Sequence, residues 1–448
     1  MRWVVIARRV LAGLLVLVVL ALVGGYWYAR PLLLTGTGYA AHNACAVGAL
    51  AGRANAETDL PPNPLVPYLR TTATGDGSSQ SSVLGLLATQ KAWATPNGCI
   101  LSDEAPAEAS FPLPIDTTPN PYAAAPTPAP DPALEALLDT AFGADLNEAD
   151  RQALGTRAIV VLKGGQIVAE RYAPGFEPTT RQLGWSMTKS VTNLLVGLAV
   201  QTRGTDIAAT QLWPGWTGDR AQITMDELMR MTSGLQWDET YDLGTPITTM
   251  LYLEPDMPAF VANQPSVAIP GEVQLYSSGS TTLLCSVLAS QSGIQPSMLG
   301  SELMFRPLGL GSAVLETDAV GNPVCSSYLW ATPRDWAAIG QFALQDGQWD
   351  GQQLLPANWM AESLALKPVT SSDEEAYAAG WRVNTRLDGS PVEPRLPADA
   401  YWAQGHDGQR MYVVPSQELV VVRLGFSPGL AGDDLRVVPL VAGAGSAD

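Results

Sequence analysis

The stretch Gly184-Trp-Ser-Met-Thr-Lys-Ser190 opens a segment without helix breakers and predicts a helix that begins near Ser186. Residues three positions apart share one helix face, so the Lys189 amine can reach the Ser186 hydroxyl. A serine hydroxyl is a weak nucleophile that needs a base, and burial or positive potential favours the neutral, basic form of lysine. The pair can therefore form an acyl-serine, with Ser186 as nucleophile and Lys189 as general base. A serine cap followed by a solvated lysine would give the same motif.

Two more motifs follow in order along the chain. Tyr276-Ser-Ser-Gly279 comes first, and His406-Asp-Gly408 precedes a strand-like segment near the end. This order resembles the serine β-lactamase and penicillin-binding protein family, in which Ser-x-x-Lys is followed by Tyr-x-Asn or Ser-x-Asn and then by Lys-Thr-Gly or His-x-Gly. The chain is similar above all to class C-like and 6-aminohexanoate-dimer-hydrolase-type members. Five stretches carry the likeness, namely 184–190, 231–235, 276–279, 331–336 and 405–409.

The resemblance implies a role for each matching residue. Tyr276 would be the third catalytic residue, exchanging a proton with the leaving group and helping to activate the deacylating water. The oxyanion hole would be formed by the backbone N–H groups of Ser186 and Gln409. The positions implied to bind substrate are Tyr241, Ser278, His406 and Gly408.

Two of these positions depart from the penicillin-recognising pattern. Ser278 stands where many relatives have Asn, so a side-chain amide that would bind a substrate carbonyl is missing. His406 stands where those relatives have Lys, which replaces a permanent cation with imidazole, a group mostly neutral at pH 7 when unperturbed. Both departures favour a neutral amide or ester over a β-lactam. Two alternatives stay open: a DD-peptidase or β-lactamase acting on cell-wall peptides or β-lactams, and a non-catalytic envelope-binding protein.

The fold class follows from strands at both ends of a long domain with helices between them. Residues 158–162 and 167–172 flank Gly164-Gly165 and predict a hairpin, and 410–415 and 419–424 predict two further strands. This arrangement predicts an α+β fold with one antiparallel sheet flanked by helices. The resemblance specifies a β-lactamase/DD-peptidase-like fold with an additional all-helical subdomain. The serine hydrolase domain is predicted to span residues 132–448.

The first thirty residues predict a membrane anchor. Basic residues precede an uncharged run over residues 10–29, which as a helix would be roughly 30 Å long, enough to cross a bilayer. The basic flank predicts a cytoplasmic N-terminus and a catalytic domain outside the cytoplasm, on the periplasmic side of the inner membrane if the cell is Gram-negative. A cleaved signal peptide is the alternative reading.

Residues 31–131 predict an irregular extension that ends in a Pro- and Ala-rich linker or surface strap over 111–132. Export permits disulfides, and the four cysteines, Cys45, Cys99, Cys285 and Cys325, allow three pairings. Pairing the first two and the last two is simplest, because the first two precede the hydrolase domain. Buried free thiols are the alternative for the second pair.

Composition restricts the partners. The formal net charge of −18 over 448 residues disfavours nucleic acid, and only two histidines, far apart, disfavour a His-rich metal centre. We therefore expect no metal and no organic cofactor. The predicted partners are a small-molecule amide, ester or peptide substrate and, through the N-terminal helix, a membrane. The sequence does not indicate an oligomeric state.

Overall fold

The computed structural model describes residues 2–74, 77–107 and 114–446. Its helices are α1 (Arg2–Ala49), α2 (Pro132–Ala141), α3 (Glu148–Leu154), α4 (Met187–Arg203), α5 (Met225–Met229), α6 (Pro246–Leu253), α7 (Met257–Ala262), α8 (Ser278–Ser292), α9 (Arg306–Leu308), α10 (Pro333–Leu344), α11 (Trp359–Leu364) and α12 (Val438–Ser446). Its strands are β1 (Leu69–Ala73), β2 (Ser78–Val83), β3 (Leu87–Thr95), β4 (Gly98–Leu101), β5 (Thr156–Lys163), β6 (Gln166–Tyr172), β7 (Gln182–Leu183), β8 (Val273–Gln274), β9 (Val314–Leu315), β10 (Leu329–Ala331), β11 (Gln348–Trp349), β12 (Gln352–Gln353), β13 (Ser371–Ser372), β14 (Arg382–Val383), β15 (Tyr401–Gln404), β16 (Arg410–Val414) and β17 (Leu419–Gly425).

The main sheet has six strands in the order β14-β15-β16-β17-β5-β6, and every neighbouring pair is antiparallel. Because successive side chains of a strand point to opposite faces of the sheet, β5 contributes to the cores on both faces. Ile159 and Val161 join the core beneath α2 and α12, whereas Val160 and Leu162 join the larger core with α4, α8 and α10. The predicted α+β fold with an antiparallel sheet flanked by helices is confirmed.

Local sequence signals place the helices that support the site. Thr224 and Glu227 form a capping box at the start of α5, with both reciprocal hydrogen bonds present. Thr332 caps α10, with Pro333 at the first helical position. Residues 187–199 of α4 are all buried, so this helix lies inside the domain rather than on its surface.

The segment after the predicted anchor differs from the expectation of an irregular extension. Helix α1 continues through Pro31 to Ala49, and β1–β4 form a four-stranded antiparallel sheet against its second half. The disulfide Cys45–Cys99 joins α1 to β4, and Cys285–Cys325 lies within the hydrolase domain. The order of this segment comes from packing rather than from a periodic pattern. The division into anchor, extension and hydrolase domain stays a prediction.

The Pro- and Ala-rich segment lies on the domain surface where the structure describes it. Residues 111–113 of the predicted strap fall outside the described residues. Further along, the Asn120 side chain donates to Asp335 Oδ1 at 2.6 Å, and Arg334 Nη1 donates to the carbonyl of Ala125 at 2.7 Å. These contacts tie the segment to the first turn of α10.

The first part of α1 is exposed. Among the described residues, one helix is long and apolar enough to cross a membrane, and it is α1, whose most apolar window is not buried against the rest of the chain. Residues 35–47 of the same helix are buried against the domain. A membrane anchor and a signal sequence both fit this arrangement.

Candidate active site

Ser186 lies at the N-terminal cap of α4, immediately after β7 and a tight turn. Trp185 in this turn has a left-handed backbone, φ 49°, which is uncommon for a bulky residue. Gly184 is required by space, because a Cβ there would lie 2.2 Å from Cζ2 of Trp336. The turn presents Ser186 on the wall of an open cavity of about 650 Å³.

Lys189 lies one turn further along α4, and its amino group is buried, with the residue only 2% exposed. Its Nζ is 2.8 Å from Ser186 Oγ, 2.8 Å from Ser278 Oγ and 3.1 Å from the carbonyl oxygen of Ser326. Three oxygens therefore surround the amino nitrogen. The lysine is thus held in one position, in direct contact with the predicted nucleophile.

Tyr276 precedes α8 and lines the same cavity. Lys189 Nζ lies 4.9 Å from the centroid of its ring, and the ring packs edge-on against Tyr377 at 5.2 Å. The Tyr276 hydroxyl makes no hydrogen bond to any described residue, whereas its backbone N–H donates to Asp373 Oδ1 at 2.9 Å. The structure therefore brings Ser186, Lys189 and Tyr276 together, with the tyrosine ring rather than its hydroxyl against the lysine.

The Ser278 hydroxyl lies beside the Lys189 amine. Its Oγ donates to Glu239 Oε1, and its backbone N–H donates to Glu239 Oε2 at 2.8 Å. Trp237 Nε1 donates to the same carboxylate at 2.6 Å, and Glu239 Oε1 lies 3.9 Å from Lys189 Nζ. Ser278 was predicted to bind substrate; here its hydroxyl connects Lys189 to a carboxylate. Sequence reasoning missed Glu239, which no motif marks.

Tyr241 and His406 form an aromatic wall on the other side of the cavity. Their rings stack at 4.3 Å, and the Trp185 ring meets both edge-on, at 5.9 and 5.6 Å. Burial, followed by the nearby Glu239 charge, raises the pKa of Tyr241 well above its usual value. Both predicted substrate-binding residues line the cavity that contains Ser186.

The segment after His406 turns away from this cavity. Arg423 Nη1 donates to the Gly408 carbonyl at 2.7 Å, and the Gln409 side chain bonds both backbone groups of Gly425, at 2.7 and 2.9 Å. Gly405 and His406 line the cavity with Ser186, whereas Gln409 lines a smaller one next to Arg157. The predicted roles of Gly408 and Gln409 stay predictions.

Helix α1 also contributes to the aromatic side, which sequence reasoning did not anticipate. The Tyr39 ring stacks on Tyr252 at 5.0 Å and meets Trp185 edge-on at 6.1 Å. The His42 ring stacks on Tyr328 at 4.5 Å. The second half of α1 is therefore part of the support of the turn that carries Ser186. In the sequence, the signal for this supporting role is the pair Tyr39 and His42, which lie three residues apart within a run of small residues.

The cavity is rich in carboxylates. Asp238, Glu239, Asp373 and Glu374 line it, together with Arg382 and His406. Arg382 pairs with Glu374. Burial raises the pKa of Asp373. No group of three or more His, Cys, Asp or Glu side chains is arranged to hold a metal ion in the part of the chain that the structure describes.

Known proteins share this arrangement of elements. The family model described as Beta-lactamase matches residues 139–443. The chain is 23% identical over 298 residues to a 6-aminohexanoate-dimer hydrolase of Paenarthrobacter ureafaciens, which covers 61% of this chain and 73% of that relative.

Two solved structures show the same fold. A candidate 6-aminohexanoate-dimer hydrolase from Bacillus anthracis has a TM-score of 0.56 and 22% identity, over 73% of this chain and 88% of that one. A β-lactamase/D-alanine carboxypeptidase from Yersinia pestis has a TM-score of 0.51 and 18% identity, over 68% and 98%. The family model covers well over half of the chain. The chain therefore belongs to the Beta-lactamase family and is a serine hydrolase.

Proposed function

We propose that the chain is an exported, membrane-anchored enzyme that cleaves a neutral amide or ester through an acyl-Ser186 intermediate. The observation that carries this proposal is the 2.8 Å contact between Ser186 Oγ and the buried Nζ of Lys189, on the wall of an open cavity. A nucleophile and a base in direct contact, beside space for a substrate, meet the geometric requirement for acyl transfer.

Acylation uses the groups that surround the Lys189 amine on one side of the cavity. Ser186 Oγ bonds to the substrate carbonyl carbon while its proton moves to the neutral amine of Lys189. Ser278 and Ser326 hold the amine in line, and the Glu239 carboxylate stabilises the positive charge that develops on it. The proton then passes from Lys189 to the leaving nitrogen or oxygen. Tyr276 is its carrier by resemblance, a role for which the tyrosine hydroxyl has to turn toward Lys189, because the ring faces the amine in this structure.

Deacylation reverses these roles. Water attacks the acyl carbon, its proton returns through Tyr276 and Lys189, and Ser186 leaves as the restored hydroxyl.

The negative oxygen of each tetrahedral intermediate needs two N–H donors. The Ser186 N–H is one. The Gln409 N–H is the second by resemblance, and the His406 N–H is a further candidate because His406 lines the cavity with Ser186.

The charge of the cavity supports a substrate without a free carboxylate near the reacting bond. Carboxylates outnumber the cationic partners in its lining, and Arg382 is already paired with Glu374. An anionic substrate would meet like charges there, which disfavours binding. The same feature argues against penicillins and D-alanyl peptides, whose carboxylate must be bound.

Two features support export and anchoring. The first part of α1 exposes a long apolar surface, with Trp27 62% and Tyr28 87% exposed where an interfacial aromatic belt would lie. Both cysteine pairs form disulfides, which persist in oxidising compartments. The catalytic domain would lie outside the cytoplasm, and on the periplasmic side in a Gram-negative cell.

The proposal is tested with full-length protein in detergent. A fluorophosphonate probe should label the wild type and the control Ser266→Ala, which changes an exposed serine, but not Ser186→Ala. p-Nitrophenyl esters and linear amide dimers should be hydrolysed with higher kcat/KM than nitrocefin or D-Ala-D-Ala peptides. Equal labelling of Ser186→Ala would refute the nucleophile. Preferred turnover of nitrocefin or of D-Ala-D-Ala peptides would refute the substrate class.

A further inference from the structure

The turn between β2 and β3 carries exposed apolar side chains. Leu84 is 61% exposed and Leu86 80%, and Tyr68, 54% exposed, lies beside them because its carbonyl accepts from the Leu84 N–H at 2.8 Å. We refer to Tyr68, Leu84 and Leu86 as the apolar tip. No charged residue occurs from Ser78 to Gln90, although the chain has a formal net charge of −18. Single exposed apolar residues are ordinary, but a cluster of three large ones marks a contact surface.

The β2–β3 hairpin runs along α1 toward its N-terminal end. Near the base of the hairpin, Ser79 Oγ donates to the Ala41 carbonyl at 2.6 Å. At the other end, the Ala88 N–H donates to the Tyr26 hydroxyl at 3.1 Å, and Thr37 Oγ1 donates to the Ala88 carbonyl at 2.7 Å. The hairpin is thus fixed to α1 at both ends, and its turn points toward the exposed part of that helix.

The length of the hairpin places the apolar tip at the predicted membrane boundary. From Ser79 to Leu84 a strand advances about 16 Å, the length of about eleven helical residues. Counted from Ala41 toward the N-terminus, this brings the tip to the level of Arg30, which ends the uncharged run. Trp27 and Tyr28, both exposed, lie within one helical turn of that level. An apolar tip beside an aromatic belt fits the interface of a lipid bilayer.

We propose that the apolar tip inserts into the outer leaflet beside α1, as a second contact between the protein and the bilayer. This inference rests on the proposed anchoring of α1 and is independent of the proposed chemistry. The contact would restrict the tilt of the domain. It would also hold the loop of residues 237–245, which carries Glu239 and Tyr241, close to the bilayer. Gly244 on that loop packs against Leu32, and a Cβ at Gly244 would lie 2.2 Å from Leu32 Cδ2.

The test uses full-length protein in nanodiscs of phosphatidylcholine and phosphatidylglycerol. An NBD fluorophore is attached to Leu86→Cys, to Val320→Cys and, within the helix, to Leu17→Cys. Val320 is a matched control, 60% exposed, on a loop whose Thr317 N–H donates to Asn97 near the disulfide end of α1. Quenching by lipids that carry a nitroxide near the headgroup reports insertion of the tip. Quenching by lipids that carry it deep in the acyl chain reports the span at Leu17, and hydrolysis of an ester substrate confirms folding.

We expect nitroxide lipids to quench the Leu86 label several-fold more than the Val320 label. If the Leu17 label is quenched but Leu86 behaves like Val320, the anchor holds and the second contact is refuted. If the Leu17 label is not quenched, the anchoring proposal fails instead, and the inference fails with it. A Leu86 label that is shielded only at high protein density, without lipid quenching, would indicate a contact between two copies and would also refute insertion.

Discussion

The two sides of Ser186 are built differently. On one side, Lys189, Ser278 and Glu239 form a continuous set of hydrogen bonds and close charges in which each group has a partner. On the other side, Trp185 and Tyr39 belong to a cluster of rings in edge-on and stacked contact, and the Tyr39 hydroxyl has no hydrogen-bond partner among the described residues. The arrangement of the first, hydrogen-bonded side depends on which polar atoms are present. The arrangement of the second, aromatic side depends on how the rings pack. Substitutions on the first should therefore change turnover, and those on the second should change stability.

The largest effect is expected at the hydrogen-bonded side. Ser186→Ala and Lys189→Ala should each lower kcat/KM by at least about 10⁴-fold, because nucleophile and base act as one unit. The double variant should be little worse than either single one. Steady-state kinetics on the best ester or amide substrate measures this. A double variant far worse than both singles would show that the two residues do not act together.

The aromatic side should respond through stability. Tyr39→Ala removes a buried ring that packs on Tyr252 and Trp185, and we expect a loss of about 3 kcal/mol in the free energy of unfolding. Urea unfolding of the full chain in detergent, followed by tryptophan fluorescence, measures it.

Tyr39→Phe is the matched control for this loss. It keeps the ring and removes only a buried hydroxyl without a partner, so its stability should stay within about 1 kcal/mol of the wild type or rise. Equal losses in Tyr39→Ala and Tyr39→Phe would mean that the hydroxyl, and not ring packing, supports this side.

Glu239 should have an intermediate effect. Glu239→Gln keeps the size of the side chain but removes the charge 3.9 Å from Lys189 Nζ, and we expect kcat to fall about 10- to 100-fold, the equivalent of one lost charged hydrogen bond. Asp242→Asn, an exposed carboxylate on the same loop, should change kcat little. A normal kcat in Glu239→Gln would show that the carboxylate only packs against the active site.

The contact between Ser186 and Lys189 was predictable because it depends on local spacing. Ser186 and Lys189 are three residues apart on one helix, and helix geometry brings them together whatever surrounds them. The Gly164-Gly165 turn and the Thr224 cap are local in the same sense. Glu239 could not be found in this way, because its partner Ser278 is 39 residues away in sequence and no helix or strand period relates the two.

The contribution of α1 could not be predicted for a different reason. Residues 35–49 contain five Ala but also three Gly and two Thr, four of which form the run Thr35-Gly-Thr-Gly38, and Gly and Thr have low helix propensity. The structure shows that packing decides the outcome. A Cβ at Gly38 would lie 2.9 Å from the carbonyl oxygen of Tyr252, so glycine is what permits the helix to approach the domain closely enough for Tyr39 to stack. Residues that weaken the helix in isolation are thus the ones that allow it to pack.

The smallest effect is expected at Asp407, the carboxyl next to His406. Burial raises the pKa of Asp407, against the opposing effects of His406 and Arg157. A carboxyl with a raised pKa in the folded state binds its proton more tightly there than in the unfolded chain. Its contribution to stability is therefore lost as pH rises from the usual aspartate range through the raised pKa.

Asp407→Asn should remove this pH-dependent loss without backbone strain, because Asn tolerates the left-handed conformation of Asp407, φ 53°. We expect the Tm of the variant relative to the wild type to be higher at pH 7 than at pH 4, and thermal unfolding at both values measures the difference. A difference that is constant with pH would indicate an unshifted carboxyl. A smaller value at pH 7 would mean that the contacts of Asp407 with His406 and Arg157 outweigh its burial, and that charge pairing, and not only ring packing, stabilises the aromatic side of Ser186.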